Sequence, residues 1–275
     1  MRRVIFTADD FGMSEVVNEG IERAHRDGVL TSASMMVAGG AVEDAVRRAR
    51  RLPGLRVGLH LVAIEGPAKL PASAIPDLVD AHGQFPSDQL ALGMRYFFLP
   101  RVRRQLAAEI RAQFAAFAAT GLPLDHADAH KHMHLHPTVG ALLLRIGAEF
   151  GLGAVRVPAE PPDIMARLDA PAGRALYRWS GLLRRQIRRA GMRANDAAFG
   201  IAWSGHMTED RLLRLIPILP DGISELYFHP AAGRDAVIDA LMPTYEHEAE
   251  LAALLSPAVR AALDRADVAR GGFGD

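Results

Sequence analysis

Arg2-Arg3-Val4-Ile5-Phe6-Thr7-Ala8-Asp9-Asp10-Phe11-Gly12 is a short apolar run that ends in two adjacent carboxylates and a glycine. It reads as a buried strand that delivers two acids to its C-terminal end. Adjacent carboxylates repel and are costly to bury, so the pair points to a cation, a shared proton or a division of labour. A capping or turn pair is the plainer alternative. Outward from this strand, helix-like and strand-like patterns alternate. A helix over residues 14–26 has Ser14 as its N-cap. A second strand follows at 31–37, a helix at 42–51 and a third strand at 56–61. Further on, the pattern predicts a long amphipathic helix at 101–119, a strand into a histidine-rich tract, and a helix with Pro137 in its first turn that ends near Phe150 before Gly151. Strands are expected at 154–157 and 223–229, with a weaker one at 199–203. This alternation implies an α/β fold with a mainly parallel sheet, open or closed into a barrel.

Residues 125–137 hold five of the eleven histidines: Asp125-His126-Ala127-Asp128-Ala129-His130-Lys131-His132-Met133-His134-Leu135-His136-Pro137. Imidazole is the commonest protein ligand for divalent metals, and Asp128, His130, His132, His134 and His136 share one parity, hence one face if the backbone is extended. A solvated polar loop is the alternative. The segment Leu55-Arg56-Val57-Gly58-Leu59-His60-Leu61 adds another apolar strand ending in a histidine. Asp9, Asp10, His60, the tract, Arg156 and His229 all fall at or just beyond strand C-termini, the face on which barrel and doubly wound enzymes carry their chemistry.

Composition sets bounds. A chain of 275 residues with 49% apolar content can build a sizeable core, and one domain over 1–270 with a frayed Gly-rich tail at 271–275 is expected. Net charge is zero, so no global field draws the chain to nucleic acid. The absence of cysteine excludes disulfides and thiolate chemistry and suits a reducing compartment. The first apolar run meets Asp9 too soon for a signal peptide or membrane span, and a cytoplasmic location is the default expectation.

Read together, Thr7-Ala8-Asp9-Asp10-Phe11-Gly12, Gly58-Leu59-His60-Leu61, Asp128-Ala129-His130-Lys131-His132-Met133-His134 and Glu225-Leu226-Tyr227-Phe228-His229-Pro230 resemble the YdjC-like carbohydrate deacetylases, in order and spacing, across almost the whole chain. Residues 50–60, 118–126 and 130–137 add a likeness to the hopanoid-associated deacetylases of that family. Many members have serine where this chain has Ala129. The resemblance implies a single-domain, distorted (β/α) TIM-like barrel with inserted loops. It also implies one divalent metal ion (Zn, Mg, Mn or Co) and hydrolysis of an N-acetyl group from an amino sugar, here an N-acetylglucosaminyl hopanoid. By position it implies Asp10, His60 and His130 as metal ligands and Asp9 as general base. One carboxylate and two imidazoles leave coordination positions open, as a catalytic site requires. For the general acid, His229 is the first choice and His134 the second, because imidazole titrates near neutrality. Arg156 either orients Asp9 and keeps it ionised or is a structural ion pair. His132 and His136 are candidate supporting donors or substrate contacts, and His206 is a weaker candidate. His25, His82 and His247 read as surface residues.

Other classes fit less well. Asp10-Phe11-Gly12 matches a protein-kinase metal motif, but no Gly-rich nucleotide loop accompanies it. A dinucleotide enzyme would carry Gly-x-Gly-x-x-Gly after the first strand. A metal-binding protein without catalysis has no need of acids at separate strand ends. A chitooligosaccharide deacetylase, or another metal-dependent amidohydrolase or phosphoesterase on an α/β barrel, stays open. Residues 170–195 hold seven arginines and no acid, interleaved with Leu176, Tyr177, Trp179, Leu182, Leu183, Ile187 and Met192, and residues 94–101 have similar character. Peripheral contact with an anionic membrane and burial against the barrel or a second subunit, as in a homodimer, are both compatible with such segments.

Overall fold

The computed structural model describes residues 2–274. Its sheet strands are β1 (Arg2–Phe11), β2 (Ser32–Met35), β3 (Arg56–Leu61), β6 (Ala127–Ala129), β7 (Ala197–Phe199), β8 (Gly222–Phe228) and β9 (Val268–Arg270), and a two-stranded hairpin is formed by β4 (Gly66–Pro67) and β5 (Gln84–Phe85). The helices are α1 (Glu15–Asp27), α2 (Val42–Arg50), α3 (Gln89–Phe98), α4 (Pro100–Ala119), α5 (Pro137–Glu149), α6 (Pro162–Arg167), α7 (Arg174–Arg189), α8 (Glu209–Leu215), α9 (Ala236–Leu241), α10 (His247–Leu255) and α11 (Pro257–Arg265). The expected caps form: the Ser14 hydroxyl accepts the Val17 N–H, and Pro137 opens α5.

The sheet runs β6-β3-β2-β1-β8-β7 with every pairing parallel, and β9 joins the lower half of β1. Period-two alternation gives its faces opposite characters. Val4, Phe6, Ala8, Val57, Leu59 and Leu61 belong to the main apolar core. Ile5, Thr7, Asp9, His60, Asp128, Glu225 and Tyr227 lie on the concave side. At its lower end that side is closed by Ile5, Ala154 and Phe273, with Ile223 packed on them. Phe273 stacks on His126 with ring centroids 4.6 Å apart. Gly58 faces that imidazole so closely that a Cβ would come within 2.5 Å of it. Fraying was expected from residue 271 onward, but Phe273 is buried and the Gly274 carbonyl accepts from Arg193. Asp275 lies outside the described residues.

Of the distorted TIM-like barrel expected, the described residues form a curled parallel sheet. Residues 154–157, expected as a strand, contribute only the bridges Ala127–Val155 and Ala154–Arg193. Pro158 has no N–H and stops the ladder there. The Asn195 side chain substitutes for ladder bonds: its Oδ1 accepts the Val157 N–H at 2.7 Å, and its Nδ2 donates to the carbonyls of Val157 and Ala197, both at 2.8 Å. The weak strand expected at 199–203 lies earlier, at β7. Helices α8, α10 and α11, which the pattern did not resolve, pack on one another, with α10 against α1 and α11 against β9.

Candidate metal centre and cleft

In a regular strand Asp9 and Asp10 would face opposite sides of the sheet. The register between β1 and β2 shifts between Ala8 and Phe11, and Asp10 adopts φ +65°. This bulge swings the second acid round, so that both carboxylates serve the same strand-end site. Their surroundings then diverge.

Asp9 is saturated with donors. Arg156 Nη1 donates to its Oδ2 at 2.7 Å and Nη2 to its Oδ1 at 2.8 Å, while the Ser34 hydroxyl donates to Oδ1 at 2.8 Å. The same guanidinium, fully buried, pairs with Asp128 Oδ2 at 2.6 Å and Glu225 Oε1 at 2.8 Å. Thr7 donates to Glu225 Oε1 at 2.8 Å, while Glu225 Oε2 is buried without a partner. Burial alone would favour neutral acids, but Arg156 outweighs it at Asp9 and, with His60, at Asp128, and both stay below the usual carboxylate range. At Glu225 burial wins and the pKa is raised.

Asp10 has none of this. Both its oxygens are buried without a hydrogen-bond partner. Oδ1 lies 3.3 Å from His60 Nε2 and 3.4 Å from His130 Nδ1, and the ligand atoms of Asp10, His60 and His130 all fall within 4.8 Å of one another. His60 Nδ1 donates to Asp128 Oδ1 at 2.8 Å, so that once the ring is neutral its Nε2 lone pair faces Asp10. A carboxylate behind a ligating imidazole fixes its tautomer in this way. Against burial, which favours the neutral acid, His130 and His60 hold Asp10 well below its ordinary pKa. Without a metal, and again against burial, Asp128 and Asp10 raise His60 well above the ordinary imidazole range. One oxygen and two nitrogens around an orphaned buried carboxylate form a fitting donor set for a divalent ion. Asp9, His60 and Asp128 form a second close group, but Arg156 and Ser34 already occupy its acids.

The tract leaves the strand at Ala129 and folds into a 3₁₀ turn, His130–Leu135, with Lys131 and His132 in the left-handed region. The shared face expected from parity therefore does not persist. His130 and His132 line the cleft. His132 Nε2 lies 3.2 Å from the Tyr227 hydroxyl, and burial lowers its pKa to about 3. His134 turns behind the site, where Nε2 donates to the Arg156 carbonyl at 3.0 Å and burial lowers its pKa to about 4. His136 points outward against Tyr96 and Phe97.

The cleft encloses about 400 Å³. Asp9, His60, His130, His132 and Tyr227 form one wall, and Ile201, Leu241, Met242, Pro243 and Tyr245 the other. His229 lies between them, its ring 5.0 Å from that of Tyr245 and its Nδ1 without a partner. Burial sets His229 below the usual imidazole range, with Asp10 and Asp9 pulling weakly the other way. Its backbone is tied at both ends: the N–H donates to buried Glu250, and its carbonyl accepts from His247 Nδ1 at 2.6 Å. His247, read as a surface residue, is thus buried. Burial pushes Glu250 up to about 8, although two backbone N–H groups work against the shift. His206 sits outside the cleft lining, 3.5 Å from Glu246. His25 is half-buried and His82 exposed. Ser34, Thr7, Tyr227 and Glu250 were not singled out from sequence, although a hydroxyl inside an otherwise apolar strand, as in Ser32-Ala33-Ser34-Met35, is a usable signal.

The sequence model of the YdjC-like protein family matches residues 3–265. A carbohydrate deacetylase of Geobacillus stearothermophilus is 32% identical over 232 residues, 84% of this chain and 80% of that protein. One from Brevibacillus brevis is 40% identical over 161 residues, 58% of this chain and 59% of its own length, so that match spans little more than half of the relative. Among solved structures, an Enterococcus faecalis V583 protein proposed to cleave cellobiose phosphate superposes with TM-score 0.77 at 23% identity, covering 99% of this chain and 97% of that one. That likeness concerns the fold alone.

Proposed function

Because the chain belongs to the YdjC-like protein family, we propose that it is a carbohydrate deacetylase that hydrolyses the acetamide of an N-acetylated amino sugar. The observation that carries this reading is the bare Asp10 carboxylate between His60 and His130. These three residues would hold a divalent ion, and a mixed oxygen and nitrogen donor set suits zinc, manganese, cobalt or magnesium. When bound, such an ion supplies Lewis acidity toward a carbonyl oxygen and acidifies water.

The protein's own groups move the protons. Asp9 lines the cleft and is ionised across the neutral range, so it is the base that takes a proton from water as the water oxygen bonds to the acetyl carbon. Arg156 and Ser34 lock its orientation. His229 is the acid: as the carbon–nitrogen bond breaks, the amine leaves with the imidazole proton, yielding acetate and the amino sugar. Burial lowers the resting pKa of His229, so the proton it hands to the amine is taken up from solvent as negative charge builds on the tetrahedral centre. Asp9 returns the water's proton to solvent after the products leave. His134 is the weaker choice, since it lies behind the cleft with Nε2 bound to a carbonyl. The apolar wall of Ile201, Leu241, Met242 and Pro243 suits a sugar with an apolar carrier.

On the resemblance noted above, we assign the substrate as an N-acetylglucosaminyl hopanoid, converted to glucosaminyl hopanoid at the cytoplasmic face of the membrane. The test is acetate release by the metal-loaded protein from that glycolipid and from soluble chitooligosaccharides. Release from the glycolipid is expected. Release only from chitooligosaccharides would move the substrate to soluble sugars, and release from neither would return the site to another metal-dependent hydrolase. No helix among the described residues is long and apolar enough to cross a membrane.

A further inference from the structure

Two inserted helices, α3 and α7, flank the turn that carries His130, and both expose large apolar side chains. On α3, Leu90, Met94, Phe97 and Phe98 recur at the i, i+4, i+7, i+8 spacing of one helix face. Leu90 is 77% and Phe98 61% exposed, while Leu92 and Tyr96 are buried. The stripe bears no charge, since Arg95 is half-buried and donates to the Asp77 carbonyl. On α7, Tyr177, Trp179 and Leu182 are exposed beside Arg178, Arg185, Arg188 and Arg189. Both helices touch the metal-centre turn and the residue that follows it. The Trp179 indole donates to the Leu135 carbonyl at 2.9 Å, and His136 packs edge-on to Phe97 with centroids 6.3 Å apart. Gln89 of α3 reaches the carbonyl of Lys131, a residue of the cleft rim.

We propose that the α3–α7 face docks on an anionic lipid bilayer and brings the cleft mouth to it. Charge complementarity selects this occupant. Residues 170–195 contain no acid, so a two-fold pair formed across this face would set the same arginines against one another with no counter-charge. Phosphate headgroups supply that counter-charge, Phe97, Phe98 and Met94 enter the acyl boundary, and Trp179 lies at headgroup depth. Arg184 takes no part. It donates to the carbonyls of Asn195 and Asp196 and holds α7 to the sheet edge.

Docking is independent of the reaction assigned above, and its test reads binding alone. The intact protein is sedimented with phosphatidylcholine vesicles, with and without phosphatidylglycerol, at low and high salt. Binding is expected only with phosphatidylglycerol and is expected to weaken with salt, each arginine removed costing about fivefold in partitioning. Arg178→Glu/Arg185→Glu/Arg189→Glu and Phe97→Ser/Phe98→Ser should each abolish binding while circular dichroism and metal content stay unchanged. Binding that ignores phosphatidylglycerol, or that survives both sets of substitutions, overturns the proposal. So does a dimer in sedimentation velocity that Phe97→Ser/Phe98→Ser dissociates, which would give the face to a second copy of the chain.

Discussion

Asp9 and Asp10 are neighbours in sequence and nearly equal in burial, yet both oxygens of one are hydrogen-bonded and neither oxygen of the other is. Around Asp9, one guanidinium serves three carboxylates and a serine hydroxyl fills the remaining gap. Around Asp10, two imidazoles approach at 3.3 and 3.4 Å and both oxygens lack a partner. A single bulge separates the two environments. Both oxygens of Asp9 are satisfied and its charge is fixed before anything binds, as a pre-oriented base requires. The second environment carries a left-handed aspartate whose buried carboxylate is faced by two imidazoles and no other donor, an arrangement suited to holding a ligand. Removing a residue from the first half should therefore damage chemistry or stability, and removing one from the second should damage metal binding.

The largest effect is expected at Asp10. Asp10→Asn keeps a residue type tolerant of positive φ but removes the charge, so metal content should vanish and deacetylation should fall to background. Stability of the metal-free protein to denaturant should fall at neutral pH, because the carboxylate that His130 and His60 hold well below its ordinary pKa loses its charge. Stoichiometric metal in this variant would erase the distinction between the two acids. Asp9→Asn should keep its metal and lose turnover by about 10²–10⁴-fold, as expected when a general base is removed. Metal loss there, with Asp10→Asn unaffected, would exchange the two roles. Arg156→Met should lower unfolding free energy by about 3–5 kcal/mol, since three buried carboxylates lose their cation. Lysine should not restore it, because an ammonium cannot reproduce the planar fork. Urea titration measures both.

The smallest expected effect is a pH dependence confined to the Asp10 half. Without metal, His60 is raised well above the ordinary imidazole range. At neutral pH it therefore holds a proton that an incoming ion must displace. Affinity should rise as pH rises, by about tenfold per unit at most, and level off above the metal-free pKa of His60. Asp9, held low by Arg156 against burial, adds no step in this range. Competition with a chromophoric chelator measures the slope. A flat response between pH 6 and 8 would mean that His60 is already neutral and that the two halves share their protons differently.

Sequence reading found β1, β2, β3 and β8, and it named Asp9, Asp10, His60, His130, Arg156 and His229, because strand ends and isolated acids leave strong local signals. It failed where the cause was not local. The parity argument assumed extended backbone through residue 136, whereas the chain turns at His130 and sends His134 behind the site and His136 away from it. His247 looked exposed because its partner, the His229 carbonyl, belongs to a distant strand. Arg184 looked like one of a set of solvent-facing arginines until Asn195 and Asp196 supplied carbonyls for it. The strand at 154–157 was weakened by Pro158, and no composition signal announces that an asparagine side chain will substitute for ladder bonds. Residues 271–274 have a flexible composition, but Phe273 anchors them beneath His126.

The pairing of β1 also has a consequence in time. Arg2 and its neighbours pair with Gly222 onward in β8 and with Val268 onward in β9, so β1 depends on partners synthesised long after it. Until they emerge, an eight-residue buried run has unsatisfied backbone edges, and Asp9 lacks the Glu225 end of its network. Contacts of such long sequence separation close slowly and leave aggregation-prone edges exposed meanwhile. Nascent chains halted before β8 should therefore need a chaperone to stay in solution, and the metal centre should mature only after β8 has left the ribosome.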